Sequence, residues 1–345
     1  MKKDQMVEHA LMCPQCNAPL KPSRFASSTV CPYCGTTVRL DSSSSISAKR
    51  FHEAFRVWNS PQTYNIPSWI SLGDRHWALG QQIGRGEFSD VYKGQRARWP
   101  TELAIIKILR DRKDEEAFDN EWNVLQALHQ SKARGADDFT ALLPQLVFHG
   151  EISAGANKGK RASIFRWISG FQHTFEDVMQ AYPQGIPPRA SIWVWRRILE
   201  TLSFVHASGM VHGAVLPPHL LVQENDHGVR LVGYGSAGRT GEKLRTVSQT
   251  YASFYPQADR SPLTLTPQLD LIMSARCIIA LLGGDAGAAT LPAAIPAPLA
   301  DVLRRVARTD PTGSRENAWD IRAEIGEIAK QVYGPPQFAP IVMPS

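Results

Sequence analysis

The sequence has few cysteines and no long apolar segment. Five cysteines among 345 residues are too few for a small domain held together by disulfides. The longest apolar run, residues 271–282, is 12 residues long and contains Arg276, so it is too short and too charged to cross a bilayer. Residues 1–12 lack the apolar core of a secretory signal. We therefore expect a cytoplasmic protein with no membrane partner.

The sequence also lacks a strong charge excess and any internal repeat. Its 38 Lys and Arg against 32 Asp and Glu give a net charge of +6, which does not by itself indicate a nucleic-acid partner. Hydrophobic residues make up 43% of the chain, enough for a sizeable core. This composition excludes a disordered chain and a collagen-like fibre. At roughly 150 residues per domain, the length suggests about two domains.

Composition divides the chain into four parts. Residues 1–40 hold four of the five cysteines, and residues 41–76 combine a Ser-rich linker, DSSSSIS, with a docking segment. Residues 77–333 have a globular composition, and residues 334–345 form a Pro-rich tail.

The four clustered cysteines form two CxxC pairs. Cys13 and Cys16 are followed, after fourteen residues, by Cys31 and Cys34. This spacing suits tetrahedral Zn²⁺ bound by four thiolates and resembles a zinc ribbon, with the alternative of two redox dithiols. The proline inside each pair favours metal. A Cys₄ site has no open ligand position, so we expect a structural zinc that supports protein binding or spacing, with nucleic acid disfavoured as a partner.

A glycine turn and a lysine–glutamate pair open the globular part. Gly84 and Gly86 lie in a predicted strand–turn–strand unit, IGRGEFSDVYKG, where backbone can approach a phosphate and Val91 can cover a purine. Lys107 lies in the predicted strand LAIIKIL, and Glu121 opens the helical run that follows. A strand lysine paired with a helix glutamate is the phosphate clamp of protein kinases.

These elements resemble the protein kinase family, and the resemblance continues to about residue 333. Further segments match in order: the hinge strand RASIFRWISG, the long helix 192–210, a catalytic-loop segment VHGAVLPPHLLVQ, a D-F-G-like segment LVGYG, and a buried helix that begins at Asp270. The resemblance implies an α+β, bilobal protein-kinase-like fold preceded by a small zinc-ribbon domain. Its small lobe would span residues 77–168 and its large lobe residues 169–333.

The large-lobe positions that carry kinase chemistry are replaced. By the resemblance, Ala214 stands at the position of the catalytic Asp, His219 at that of the Asn that binds the second Mg²⁺, and Gly233 at that of the metal-binding Asp. Phosphoryl transfer in the family depends on these groups, each worth about 10²–10⁴ in rate. The sequence therefore predicts a catalytically inactive pseudokinase that is not an enzyme.

Nucleotide binding has two interpretations. Gly84, Gly86, Val91, Lys107 and Glu121 are the candidate residues for ATP. In the alternative interpretation the Lys107–Glu121 pair is a structural ion pair. That alternative is supported by an isoleucine at residue 105, where the family has a small alanine against the adenine.

Four expectations concern structure alone. We expect Asp270 to anchor the catalytic-loop backbone, Arg315 to pack near Gln257 and Cys277 to be a buried apolar residue. Two tryptophans on the long helix, at residues 193 and 195, should divide between the core and an interface.

Three functions follow from these interpretations. The first is a scaffold or allosteric protein-binding module in bacterial-type signalling, whose partner would be a kinase, a phosphatase or another signalling component. The second is a nucleotide sensor that binds ATP without Mg²⁺. The third is an atypical kinase-fold transferase.

Overall fold

A computed structural model describes residues 13, 18, 20, 28–32, 34–35, 37–39, 68–96, 102–223, 228–256, 263–313 and 316–343. Cys16, the linker, Gln257 and Arg315 lie outside the described residues, so the predictions for them stay predictions. Among the described residues, no helix is long and apolar enough to cross a membrane.

The cysteine-containing head holds a small antiparallel hairpin. Strand β1 (Ser28–Val30) pairs with β2 (Thr37–Arg39), and Cys31 and Cys34 lie in the connection between the two strands. A hairpin whose turn carries a CxxC pair is the geometry that brings two thiols to one point. The head therefore has the local structure on which a ribbon-like metal site could be built.

The small lobe is a curled antiparallel sheet of seven strands. Its strands are β3 (Ser68–Leu72), β4 (Arg75–Arg85), β5 (Ser89–Arg96), β6 (Leu103–Leu109), β7 (Leu146–Glu151), β8 (Ala154–Gly155) and β9 (Arg161–Arg166), in the spatial order β7-β9-β6-β5-β4-β3-β8. Helix α1 (Glu115–His129) follows β6, and the short helix α2 (Ala136–Phe139) precedes β7. The sheet begins before the predicted boundary at residue 77, because β3 pairs with β4 along its whole length.

The sequence pattern explains the small-lobe core. Burial alternates along β6, where Ala104, Ile106 and Ile108 face the small-lobe core. The period of two is that of a strand with one face buried, and it places Ile105 and Lys107 on the other face. Helix α1 buries Phe118, Val124 and other apolar residues at helical spacing, and its Glu121 is buried with them.

The large lobe is mainly helical around one apolar cluster. Its elements are β10 (Phe171–Thr174), α3 (Phe175–Ala181), α4 (Pro188–Ala207), β11 (Met210–Val211), β12 (Leu220–Gln223), β13 (Gly228–Leu231), β14 (Gly238–Arg239), α5 (Pro267–Leu281), α6 (Ala297–Ala307) and α7 (Ala318–Tyr333). Side-chain caps mark several helix starts: Thr174 with Asp177 in a capping box at α3, Thr266 at α5 and Asn317 at α7. The two lobes together confirm the predicted α+β, protein-kinase-like fold.

Two structural expectations are confirmed in this core. Cys277 on α5 is fully buried, and its thiol donates to the carbonyl oxygen of Val215. On α4, Trp195 is buried and donates to Ser274 of α5, whereas Trp193 packs against residues of the cysteine-containing head. The two tryptophans therefore divide between core and interface, as predicted.

Candidate functional site

Three of the four predicted zinc ligands converge in the head. The sulfur atoms of Cys13, Cys31 and Cys34 all lie within 4.8 Å of one another, and the Cys13 and Cys34 sulfurs are 3.5 Å apart. Cys13 and Cys31 are buried. The donor set consists of soft thiols at one point, and it fits a zinc ion. The fourth predicted ligand, Cys16, lies outside the described residues.

Backbone geometry supports this convergence. The Gly35 N–H donates to the carbonyl oxygen of Cys31 at 2.9 Å, which closes a turn around the second cysteine pair. Gly35 has a φ of +76°, in the left-handed region that glycine adopts without steric cost. A glycine directly after the second pair therefore lets the chain turn while both thiols face the same point.

The small-lobe candidates lie side by side across three neighbouring strands. Gly84 of β4 is opposite Val91 of β5, which is in turn opposite Lys107 of β6. The Lys107 ammonium donates to both carboxylate oxygens of Glu121, at 2.7 and 2.8 Å. The predicted lysine–glutamate pair is therefore formed, between groups whose side chains are 17% and 8% exposed.

Helix α1 is also bonded to the D-F-G-like segment of the large lobe. Glu121 accepts a hydrogen bond from the backbone N–H of Tyr234 at 3.2 Å. The neighbouring Asn120 amide donates to the carbonyl oxygens of Gly235 and Ala237, at 2.9 and 2.8 Å. We call this set of contacts from Lys107, Asn120 and Glu121 the interlobe clamp. Sequence reasoning missed Asn120, whose only signal was its position next to the candidate glutamate.

The glycine loop is fastened by an arginine that sequence reasoning also missed. The Arg110 guanidinium donates to the carbonyl oxygens of Gly86 at 2.7 Å, of Ser89 at 3.1 Å and of Glu87. At the tip of the loop, Phe88 approaches the large lobe, since a Cβ on Gly235 would lie 3.8 Å from its ring. The loop is thus fastened by Arg110, and its tip lies close to the D-F-G-like segment.

Asp270 holds the catalytic-loop backbone, as predicted. Its buried carboxylate accepts from the N–H groups of His212 and Gly213, each at 2.8 Å, and from His206 Nε2 at 2.8 Å. A carboxylate that accepts three hydrogen bonds fixes a loop strongly. The loop therefore has a rigid anchor even though its side chains differ from those of the family.

The positions of the two family metal ligands are filled by one imidazole ring. His219 is half-buried next to Gly233, and a Cβ on Gly233 would lie 2.5 Å from His219 Cδ2. Gly233 also has a φ of +80°. His219 Nδ1 lies 2.8 Å from the carbonyl oxygen of Ala214, so this nitrogen carries the proton and donates. Burial lowers the pKa of His219, which keeps the ring neutral.

His212 is a structural group of the same loop. It is fully buried, and burial lowers its pKa to about 4. Its Nε2 donates to the carbonyl oxygen of Val232 at 3.1 Å, and its Nδ1 accepts from the Ala214 N–H at 3.2 Å. The ring packs edge-on against Tyr234, with centroids 4.5 Å apart. These contacts leave both ring nitrogens engaged by backbone.

The side chains at the three replaced positions limit the chemistry of the site. Ala214, His219 and Gly233 offer no carboxylate to bind Mg²⁺ or to accept a proton from a hydroxyl group. Lys107 and Glu121, the two charged candidate residues of the cleft, neutralise each other. The site can therefore fix the relative position of the two lobes, but these positions cannot supply the metal chemistry of the family.

Comparison with known proteins supports a protein kinase-like superfamily. The chain is 21% identical over 182 residues to the serine/threonine-protein kinase stk11 homolog of Dictyostelium discoideum, and 23% identical over 181 residues to a probable serine/threonine-protein kinase of Streptomyces coelicolor. It is 23% identical over 173 residues to mitogen-activated protein kinase kinase kinase 1 of Mus musculus. No family model matches the chain.

The matched regions cover about half of this chain and a smaller share of each relative. They span 52%, 52% and 49% of this chain, but 29%, 25% and 11% of the respective relatives. The chain therefore matches less than a third of the length of each of these kinases.

The comparisons correct one prediction. The sequence predicts a protein that is not an enzyme, but all three relatives are named protein kinases, which points to a kinase. The prediction of a non-enzyme is therefore wrong. That prediction depended on the residues found at three positions. They exclude the family's metal ligands and base at those positions, but they say nothing of groups elsewhere in the chain.

Proposed function

We propose that the kinase-like domain acts as an allosteric protein-binding module in signalling. The observation that carries this proposal is the interlobe clamp, which joins helix α1 to the D-F-G-like segment through Lys107, Glu121 and Asn120. In protein kinases the position of the corresponding helix and of the D-F-G segment is what activation controls. Here Lys107, Asn120 and Glu121 join the two elements, and the clamp would hold the surface around them in the shape that a partner recognises.

Transferase activity of the domain is a separate property and is measured in a separate assay. A fixed surface can bind a partner whether or not the domain transfers phosphate, and the names of the relatives favour a kinase. By analogy with signalling proteins of this fold, the partner would be a kinase, a phosphatase or another signalling component. The head would contribute structural zinc, held by Cys13, Cys31, Cys34 and the predicted fourth ligand Cys16.

The test compares two substitutions on one helix. Asn120→Ala removes two hydrogen bonds of the clamp, whereas Asn123→Ala changes an exposed asparagine on the same helix. Proteins that co-purify with the full-length chain would be identified by quantitative mass spectrometry. Each would then be purified, and its affinity for the wild type and both variants would be measured by interferometry. We expect Asn120→Ala to weaken a direct partner about tenfold, which corresponds to about 1.4 kcal/mol, and Asn123→Ala to have no effect. A direct partner that binds both variants equally would contradict the role of the clamp.

Nucleotide sensing and transfer are tested on the same protein. A thermal-shift titration with ATP up to millimolar concentration, with and without Mg²⁺, measures nucleotide binding. Because Arg110 fastens the glycine loop and Phe88 approaches Gly235, a shift in the wild-type protein would mean that the loop opens to admit the nucleotide. Transfer of label from ATP that disappears in Lys107→Ala would instead assign the cleft to catalysis, and partner binding could then be compared with turnover.

A further inference from the structure

The cysteine-containing head lies on the kinase-like domain and contacts it at a tryptophan. Trp193 of α4 is 6% exposed and packs in one apolar cluster with Cys13, Leu20 and Cys31 of the head. Ala18, Val38 and Cys34 of the head belong to the same cluster. A Ser-rich linker alone would predict a loosely tethered head, but these residues bury the predicted metal-binding cysteines against the large lobe.

Basic side chains on the same face of α4 surround this contact. Residues 193, 196, 197 and 200 follow the spacing of one helix face. The Arg197 guanidinium donates to the carbonyl oxygen of Pro32, inside the second cysteine pair, and Arg196 lies over the Trp193 ring with its Cζ 5.5 Å from the centroid. The face that supports the cysteines is therefore cationic as well as aromatic.

The arginines share one buried carboxylate. Glu200 accepts from Arg197 and, at 2.6 Å, from Arg322 of α7. Two guanidinium groups thus bond to one carboxylate, and Arg196 is a third guanidinium close by, so guanidinium groups outnumber the carboxylate in this cluster. Burial and the neighbouring Arg322 lower the pKa of Arg196 to about 10, in keeping with this excess.

The metal site would supply charge of the opposite sign. Zinc binds cysteine as thiolate, so Zn²⁺ with four thiolates carries a net charge of about −2. Four protonated thiols carry no charge. A metal-loaded cysteine site therefore places negative charge beside the arginines of α4, and a metal-free site does not.

The C-terminal tail also contacts the cluster formed by Trp193 and the head. Phe338 packs in the same cluster as Trp193 and the cysteines. Arg189 of α4 donates to Gln337 Oε1 at 2.9 Å and to the carbonyl oxygen of Pro335 at 3.0 Å. Farther along, the Tyr182 hydroxyl bonds to both backbone groups of Val342. The tail is thus bound to the large lobe directly and to the head through Phe338.

We propose that metal binding controls the docking of the head on the large lobe. The metal-loaded head is held on α4 by Trp193, Arg196 and Arg197, and it holds Phe338 of the tail in place. Loss of the metal removes the negative charge and the fixed geometry of the cysteines, and it releases both the head and the tail. Head, tail and α4 together form a metal-dependent latch.

Hydrogen exchange on the full-length chain tests this latch without any variant. The protein would be compared as purified, after zinc is removed with a chelator, and after one equivalent of Zn²⁺ is restored. We expect chelation to raise exchange about tenfold in residues 335–343 and in the first half of α4, and Zn²⁺ to reverse the change. Exchange in β5 and β6 of the small lobe should stay constant.

Substitutions test the reciprocal effect on metal affinity. Because coupling between two sites is mutual, a metal that favours docking binds more tightly to the docked chain, and weakening the docking therefore lowers zinc affinity. We expect Trp193→Ala and Arg197→Ala each to lower zinc affinity about tenfold in competition with a chromophoric chelator. The matched control is Arg245→Ala, which removes an exposed guanidinium paired with Glu116 of the small lobe, and it should leave zinc affinity unchanged.

Three results would overturn the proposal. The first is a purified full-length chain with less than one bound zinc. The second is removal of zinc with no change of exchange in α4 or the tail. The third is wild-type zinc affinity in both Trp193→Ala and Arg197→Ala. The exchange measurement uses only the wild-type chain, so it decides the question even where a variant fails to fold.

Discussion

The two sides of the cleft differ in what they share with protein kinases. On the small-lobe side, Lys107 and Glu121 form the family's ion pair at 2.7 and 2.8 Å. On the large-lobe side, Asp270 still anchors the loop backbone, but Ala214, His219 and Gly233 replace the groups that handle protons and metal. The retained residues are those that bond to other protein groups.

The residues that maintain the fold of the cleft are therefore different from the residues that carry kinase chemistry in the family. A loop backbone can keep its shape through a buried carboxylate on another helix, independently of the side chains that the loop presents. An ion pair can likewise keep a helix in place without any ligand. The presence of Lys107 and Glu121 is therefore evidence for a formed clamp, and the identity of the loop side chains has to be judged separately.

The largest effect should follow from removing the anchor of the loop. Asp270→Ala leaves the buried N–H groups of His212 and Gly213 without their acceptor, at about 1–3 kcal/mol each. We expect a loss of about 4 kcal/mol in the free energy of unfolding, measured by urea denaturation. Asp301→Ala, which removes an exposed carboxylate paired with Arg304, should change stability by less than about 0.5 kcal/mol. Equal effects of the two substitutions would show that the loop is held by other contacts.

A somewhat smaller effect tests the small-lobe side. Lys107→Met leaves the carboxylate of Glu121 buried without its partner, and we expect it to cost about 3 kcal/mol in unfolding free energy. The double variant Lys107→Met/Glu121→Gln removes the unpaired charge but keeps an acceptor for the Tyr234 N–H. It should recover most of the loss. A double variant less stable than Lys107→Met would contradict a structural role for the pair.

Acid should destabilise the large-lobe side of the cleft. Burial lowers the pKa of His212 in the folded protein to about 4, below its ordinary value of 6.5. The unfolded chain therefore binds a proton first as the pH falls, and stability is lost between pH 6.5 and pH 4. The contribution is roughly 2 kcal/mol by about pH 4.5, an order-of-magnitude value. The lowered pKa of His219 acts in the same direction.

Replacing the histidine isolates this contribution. His212→Gln has a structural cost that is independent of pH. We therefore expect the difference in unfolding free energy between the wild type and this variant to become smaller as the pH falls below 6.5. Urea denaturation at a series of pH values measures this difference. A difference that stays constant from pH 7.5 to about pH 4.5 would mean that His212 does not titrate as its burial implies.

The sequence predicted the elements whose signals are local. The cysteine spacing, the apolar alternation around Lys107 and the helix opened by Glu121 each depend on neighbours in the chain. The α+β kinase-like fold was implied by the resemblance of these elements to the protein kinase family. The division of Trp193 and Trp195 between interface and core followed from helix geometry in the same way.

Contacts between distant segments were not predictable in this way. Asn120 bonds to carbonyl groups more than a hundred residues away, and Arg110 fastens a loop through backbone oxygens that any sequence would offer. Phe338 reaches the head from the far end of the chain. None of these residues belongs to a motif, because their partners are defined by the fold and mostly by backbone groups.

The smallest expected effect is a coupling between the two residues at the metal-ligand positions. Gly233→Ala places a Cβ 2.5 Å from the His219 ring, whereas His219→Ala removes that ring. The double variant should therefore be about 1–2 kcal/mol more stable than the sum of the two single effects predicts. Urea denaturation of the wild type, both single variants and the double variant measures this coupling.

Gly209→Ala provides the matched control for this coupling. Gly209 has a φ of +75°, so its backbone strain is similar to that of Gly233, but a Cβ at residue 209 would have no atom within 4 Å. Its pairing with His219→Ala should therefore be additive. Additivity at Gly233 as well would show that the His219 ring can move aside and that an acidic residue could be accommodated there. A clear coupling would mean that the two replacements depend on each other, so that restoring a metal-binding aspartate at residue 233 requires the removal of His219 first.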